Sequence, residues 1–284
     1  MRNGTERSSR VWFVTGAARG FGRALAEAAL ARGEQVIATS RGEEFVEDFA
    51  ERHPAAVALR VDVTDRDQVR AAIEEGIDRL GRLDVVVNNA GYGHFGAIEE
   101  LTEEELRRQF EVNLFGVLNV TRAALPQMRA QRSGHLVQMS SLNGIEGMVG
   151  GGYYCAAKFA IEGLSESLAA EVAHLGIRVT IVEPGPHRTE FASERSARVA
   201  APIDDYADSV GAAREAFADL DGNQPGDPER AADAIITAVD AEQPPLRLPL
   251  GEMALTNIRS KLEGQLNDLE AWRELSASTD LVSA

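Results

Sequence analysis

The stretch that most limits the fold lies near the amino terminus. Val11-Trp12-Phe13-Val14-Thr15 runs directly into Gly16-Ala17-Ala18-Arg19-Gly20-Phe21-Gly22, followed by an Ala-rich run that ends at Gly33. A short apolar run bounded in this way reads as a buried strand, and the Ala-rich run as a helix. Glycines between strand and helix allow a tight turn and close backbone approach. The helix start then presents unpaired N–H groups to a pyrophosphate. An ordinary Gly-rich turn is the alternative, and the strand–turn–helix context favours the nucleotide loop.

The same alternation continues along the chain. Further strands are expected at 35–40, 56–63, 83–88, 136–140 and 177–182, the last stopped by Pro184, with a short one at 246–248. Helices are expected at 43–52, 65–80 (capped by Thr64 or Asp65), 102–132 (interrupted by Pro126), 152–174, 227–241 and 252–275. The run at 83–88 is apolar almost throughout, as in a strand buried on both faces. Strands alternating with helices predict an α/β fold, a doubly wound parallel sheet in three layers. We expect a single domain over 11–275, an N-terminal tail at 1–10 and a C-terminal tail at 276–284. The 191–223 segment has no firm strand pattern and reads as a mobile lid, about 187–223, with one or two short helices.

Charge and cysteine content narrow the function. The 284 residues carry 29 Lys plus Arg against 45 Asp plus Glu, a net charge of −16. Such a surface repels phosphate backbones and anionic bilayers, so neither nucleic acid nor membrane is expected as a partner. The single cysteine, Cys155, excludes an internal disulfide and suits a reducing cytoplasm; it reads as a small packed side chain. His53, His94, His135 and His174 show no metal-ligand spacing, and no metal is expected.

Chemistry is suggested by Tyr154 and Lys158. Residues four apart share a helix face, and Tyr153, five before the lysine, does not. A free phenol titrates near pH ~10, and a nearby ammonium is expected to pull it down toward efficient proton transfer. By itself this pair is a weak signal.

Together with Thr15-Gly16-x-x-x-Gly20-x-Gly22, Asn88-Asn89-Ala90-Gly91, Asn113 and Ser141, the order of motifs resembles the short-chain dehydrogenases/reductases, closely over 12–191. The resemblance implies a Rossmann-type domain that moves a hydride between a nicotinamide cofactor and an alcohol/carbonyl pair. It implies Tyr154 as general acid/base and Lys158 lowering its pKa and holding the nicotinamide ribose. Ser141, in preference to Ser140, would hold the substrate oxygen, and Asn113 a relay water unless its side chain is satisfied within the helix. Gly16, Gly20, Phe21 and Gly22 would cradle the pyrophosphate, and Arg19, inside the glycine loop, would approach a 2′-phosphate. Asp62 and Val63 would touch the adenine, unless Asp62 caps the next helix. Asn89, Ala90 and Gly91 would line the ribose side, although Asn89 could instead brace the sheet. Pro184, Gly185 and Thr189 would close over the cofactor. The second strand ends in Ser40 and Arg41, not in the acid usual for NAD, so NADP(H) is expected over NAD(H). Glu43 and Glu44 lie close by and oppose that reading.

The substrate wall is expected from His94, Phe95, Leu142, Asn143, Met148, His187 and Phe191, with Ile145 and Tyr153 beside them. It is mostly apolar and suits a medium-sized hydrophobic ketone or aldehyde. For His187 a solvated loop position is the plainer expectation. Helices 102–132 and 152–174 resemble those that pair across a two-fold in the family, implying a homodimer or homotetramer. A nucleotide-binding regulatory protein on the same fold, and an epimerase or dehydratase acting through a transient ketone, are the alternatives.

Overall fold

Every residue of β1 (Val11–Thr15) is buried, and its side chains alternate between two cores. Trp12 and Val14 enter one hydrophobic cluster, Val11 and Phe13 the other. A strand used on both faces needs helices above and below, and the rest of the chain supplies them. The computed structural model describes residues 9–193 and 196–281. Most of the expected N-terminal tail, 1–8, and residues 282–284 of the expected C-terminal tail lie outside the described residues.

After β1 come α1 (Gly20–Ala31), β2 (Gln35–Ser40), α2 (Glu43–Arg52), β3 (Val57–Arg60), α3 (Arg66–Leu80) and β4 (Val85–Asn88). The middle of the chain holds β5 (Gly93–Phe95), α4 (Glu103–Phe110), α5 (Gly116–Gln131), β6 (Gly134–Met139), α6 (Gly152–Val172) and β7 (Ile177–Pro184). Then follow β8 (Ala197–Val199), α7 (Ala212–Asp219), α8 (Pro228–Asp240), β9 (Arg247–Leu250), α9 (Glu252–Ala271) and α10 (Arg273–Ala277). Seven parallel strands form the sheet in the order β3-β2-β1-β4-β6-β7-β9. Residues of α1, α2 and α8 build the core on one face, and residues of α3, α5 and α6 the core on the other. The strand order reverses between β1 and β4, and the carboxyl ends diverge there into a crevice.

Several expected boundaries move. The third strand ends at Arg60, and Asp62 beyond it folds into a turn, its Oδ1 accepting from Thr64 N at 2.9 Å. The fourth begins at Val85, after Asp84 has turned its carboxylate to Val11 N. Pro184 does not stop β7: it pairs with Leu250, and Gly185 N continues the ladder to Leu250 O at 2.9 Å. Nor does Pro126 interrupt the long helix. It sits inside α5, where core packing of Val120, Ala124 and Met128 outweighs the missing N–H. The interruption is instead a π turn, Glu111–Phe115, between α4 and α5. Asp65, not Thr64, caps α3, accepting from Asp67 N and Gln68 N. The segment after residue 191 carries an unexpected strand, since β8 pairs in parallel with β5.

One buried base tests this packing. His135 at the start of β6 lies 2.9 Å from Thr180 Oγ1, whose own proton goes to Pro245 O at 2.8 Å. The ring therefore donates through Nε2–H. Burial pushes its pKa down to about 4 from 6.5. Between those values the unfolded chain binds the proton and the native protein does not, so stability falls as pH drops from 6.5 toward 4. The full effect is about 3 kcal/mol. Urea titrations across that window should show the loss in wild type, and His135→Gln should flatten it; equal slopes would exclude His135 as the cause.

Candidate active site

The crevice between β1 and β4 widens into a cavity of about 1120 Å³ at the carboxyl edge of the sheet. One wall is the glycine loop. Gly16 (φ +66°) and Gly20 (φ +55°) adopt the left-handed region that side chains disfavour. A methyl on Gly22 would collide with the Gly16 carbonyl and the Asn89 amide. The loop is sewn to its neighbours: Ala17 N donates to Thr39 O at 2.9 Å, and Asn89 Nδ2 donates to Thr15 O and Gly16 O at 2.9 and 3.2 Å. No side chain caps α1, so its first N–H groups remain for an anion at the loop. This glycine cradle fits a pyrophosphate. Asn89 does brace the sheet, and in doing so it also shapes the cradle.

Phe21, Ser40, Arg41, Asp62, Val63, Ala90, Gly91, Pro184, Gly185 and Thr189 all line the same cavity. Asp62 does not cap α3; its carboxylate closes the turn onto Thr64, with Thr64 Oγ1 donating at 2.8 Å. Of the two opposing acids, Glu43 is drawn off into an ion pair with Arg60, while Glu44 stays on the wall. Arg19 also lines the cavity, but its guanidinium donates to Ser196 Oγ at 2.8 Å and lies 3.7 Å from Glu190. It spans from the glycine loop to the segment that follows β7.

Tyr154 and Lys158 rise from the first turns of α6, both buried and both on the cavity wall. Lys158 Nζ donates to Met139 O at 2.7 Å and stands 5.8 Å from the Tyr154 ring centre. Ser141 opens a 3-10 turn, Leu142–Gly144, and its Oγ accepts from Asn143 N at 3.1 Å. That leaves the hydroxyl proton for the Tyr154 oxygen or for an acceptor that enters the cavity. Ser140 instead packs under Gly144 against Glu162. Asn113 stands behind the wall, within the π turn. Its Oδ1 accepts from Tyr92 N at 3.0 Å and its Nδ2 donates to Tyr92 O at 2.7 Å. The side chain is satisfied across elements, not within its helix.

Burial decides the electrostatics, which corrects the expectation of a lowered phenol. Desolvation pushes Tyr154 up to about 12, opposed by a hydrogen bond from Ser141. It pulls Lys158 down to about 8, against the attraction of Glu162. Behind them Arg247 joins Glu162, Glu183 and Glu166, and burial raises Glu183 to about 7. At neutral pH the site holds a protonated phenol.

Above Tyr154 lies an aromatic wall. Phe95 and Phe191 stand 5.8 and 5.5 Å from its ring, and Phe217 stacks on Phe95 at 4.6 Å. Leu142, Asn143, Met148 and His187 complete it. Three expected wall residues are elsewhere. His94 alternates with Phe95 along β5, so it faces away and meets Glu105 at 3.4 Å. Tyr153 donates its hydroxyl to Ile98 O at 2.9 Å, and Ile145 packs against Leu142, Ala254 and Ile258. His187 is not solvated: it is buried, its Nδ1 is 2.9 Å from Gly185 O, and its ring lies 5.1 Å from Phe21. Phe217 and Leu220 line the cavity from the lid expected there, while Met253 and Asn257 line it unforeseen, from the root of α9. Cys155 is a packed thiol that accepts from Met148 N at 3.3 Å. No helix among the described residues is long and apolar enough to cross a membrane.

Comparison with known proteins agrees with this geometry. A family model described as short chain dehydrogenase matches residues 10–200. A short-chain dehydrogenase from Streptomyces avermitilis superposes with a TM-score of 0.90 at 45% identity, over 96% of this chain and 100% of that one. The oxidoreductase BOA17 of Botryotinia fuckeliana is 40% identical over 95% of this chain and 99% of its own. A 3-ketodihydrosphingosine reductase of Bacteroides thetaiotaomicron is 38% identical over 86% and 88%.

The cradle makes a direct prediction. Gly22→Ala forces the loop away from Asn89, and overpacking of this kind costs roughly 1–3 kcal/mol. Fluorescence titration should show dinucleotide affinity falling by about tenfold or more, and unchanged affinity would remove Gly22 from the cradle.

Proposed function

The chain belongs to the short-chain dehydrogenase family and is an NAD(P)-dependent oxidoreductase; from there we propose that it is an NADP(H)-dependent reductase of a hydrophobic ketone or aldehyde, reversible as an alcohol dehydrogenase. The observation that carries this reading is the buried, protonated Tyr154 set between Ser141 and an aromatic wall. When bound, the nicotinamide supplies or accepts the hydride. Tyr154 gives its proton to the nascent alkoxide oxygen. Ser141, whose Oγ already accepts from Asn143 N, donates to the same oxygen and orients it. Lys158, steadied by Met139 O, presents its remaining N–H groups to the cofactor ribose. Phe95, Phe191 and Phe217 exclude water and hold the apolar body of the substrate. The similarity to a 3-ketodihydrosphingosine reductase supports an apolar substrate. We place the enzyme in a reducing cytoplasm, consistent with its lone buried thiol. We also propose that it assembles through α5 and α6, near which Phe115 and Phe159 are exposed.

Two measurements test the reading. Tyr154→Phe removes only the proton donor and should lower kcat by roughly 10²–10⁴-fold while dinucleotide binding survives. Retention of more than about a tenth of wild-type kcat would defeat the assignment. Cofactor choice is tested separately. Ser40 and Arg41 offer a hydroxyl and a guanidinium where a carboxylate would repel a 2′-phosphate. kcat/KM should favour NADPH over NADH, and Arg41→Ala should erode that ratio about tenfold or more. A wild-type preference for NADH would reject the NADP(H) reading and leave the Tyr154 chemistry standing.

A further inference from the structure

Helix α9 leaves the body of the protein soon after it begins. Ala254 and Ile258 are its only buried residues, seated against Leu142 and Ile145, and Asn257 Nδ2 donates to Glu146 Oε2 at 3.1 Å. Beyond Ile258 it continues to Ala271, roughly 20 Å further, with none of those residues buried. A helical stretch of that length is marginal in water without packing, and Gly264 in its middle weakens it more.

Its surface is not that of a solvated helix. Leu255, Leu262, Leu266 and Leu269 follow one another at intervals of seven, four and three, so with Ile258 they form one stripe. The four leucines are between 49% and 61% exposed, and Trp272 and Leu275 extend the apolar run past the end of the helix. Charges flank the stripe in a definite pattern. By helical periodicity Arg259, Glu263 and Glu270 lie on one flank, Lys261 and Asp268 on the other, and Glu270 already pairs with Arg273 of its own chain at 2.8 Å. Arg259 with Glu270, and Lys261 with Asp268, are centred on the same point, between Gly264 and Gln265. Two helices packed antiparallel bring like flanks together. A two-fold axis through that point therefore sets Arg259 opposite Glu270, and Lys261 opposite Asp268, of a second copy. The same axis places Leu262 at the gap between Leu266 and Leu269 of the second copy. The Lys261–Asp268 pair and the leucine spacing agree on this arrangement.

We propose that α9 pairs antiparallel with α9 of a second copy of this chain through the leucine stripe. The contact is isologous and closes on itself.

Light scattering on the full chain at micromolar concentration tests this with two sets of variants. Leu262→Asp/Leu266→Asp should halve the wild-type mass and keep turnover, which shows that the subunit is folded. Lys261→Asp sets acid against acid and should also lower the mass. Adding Asp268→Lys to it exchanges the pair and should restore the mass. A monomeric wild type, an unchanged mass in the leucine variant, or a double exchange no better than the single one would each overturn the pairing. A monomeric wild type that sediments with phosphatidylcholine–phosphatidylglycerol vesicles would assign the stripe to lipid instead.

Discussion

The hydroxyl of Thr15 holds the molecule together at its turning point. It accepts from Asn89 N and Ala90 N, both at 3.0 Å, and donates to Val87 O at 3.2 Å. A hydroxyl has one proton and two lone pairs, and all three are used. The bonds join the last residue of β1 to the end of β4, where the strand order reverses and no regular ladder could continue. With that joint fixed, Asn89 reaches the backbone of Thr15 and Gly16, and Gly22 can press against both. The cradle is rigid because the sheet beneath it is closed by side chains where backbone pairing runs out.

Water exclusion sets the chemistry. Moving Lys158 from 10.5 to about 8 corresponds to about 3 kcal/mol, and the attraction of Glu162 does not offset it. The phenol moves in the opposite sense for the same reason. Both residues are drawn toward neutrality, and any charge brought into the cavity acts through a low dielectric. The buried cluster of Arg247 with Glu162 and Glu183 lies behind this pair and fixes α6 to β7 and β9. Substituting either partner alone would strand a buried charge, so the cluster couples the fold of the sheet edge to the seat of the lysine.

Much of the fold was legible because its signals are local. The apolar run at 11–15, the glycines at 16, 20 and 22, and the Tyr154–Lys158 spacing each need only a few neighbours to interpret. The residues expected at Ser40, Val63, Gly91, Ser141 and Thr189 meet at one cavity because the topology follows from that alternation. What escaped depended on distant partners. β5 and β8 are three residues each, too short for periodicity to register, and they exist only because they pair with one another. Missing β5 hid the alternation that turns His94 outward while Phe95 faces in. The phenol was misjudged because a pair four residues apart reveals an attraction but not the burial that exceeds it. His187 looked like a loop residue because Gly226 and Phe21, which enclose it, lie 39 and 166 positions away.

The parallel pair of β5 and β8 also dictates when the substrate wall can exist. Gly93 pairs with Ala197, a separation of 104 residues. A ribosome adding about 5–20 residues per second needs roughly 5–20 s to cover that interval. In this time β1, β2, β3 and β4 can already associate into one half of the sheet, cofactor loop included. The strand that will carry Phe95 meanwhile waits with an unpaired edge. The glycine cradle and the aromatic wall, adjacent in space, are thus completed at different moments of synthesis.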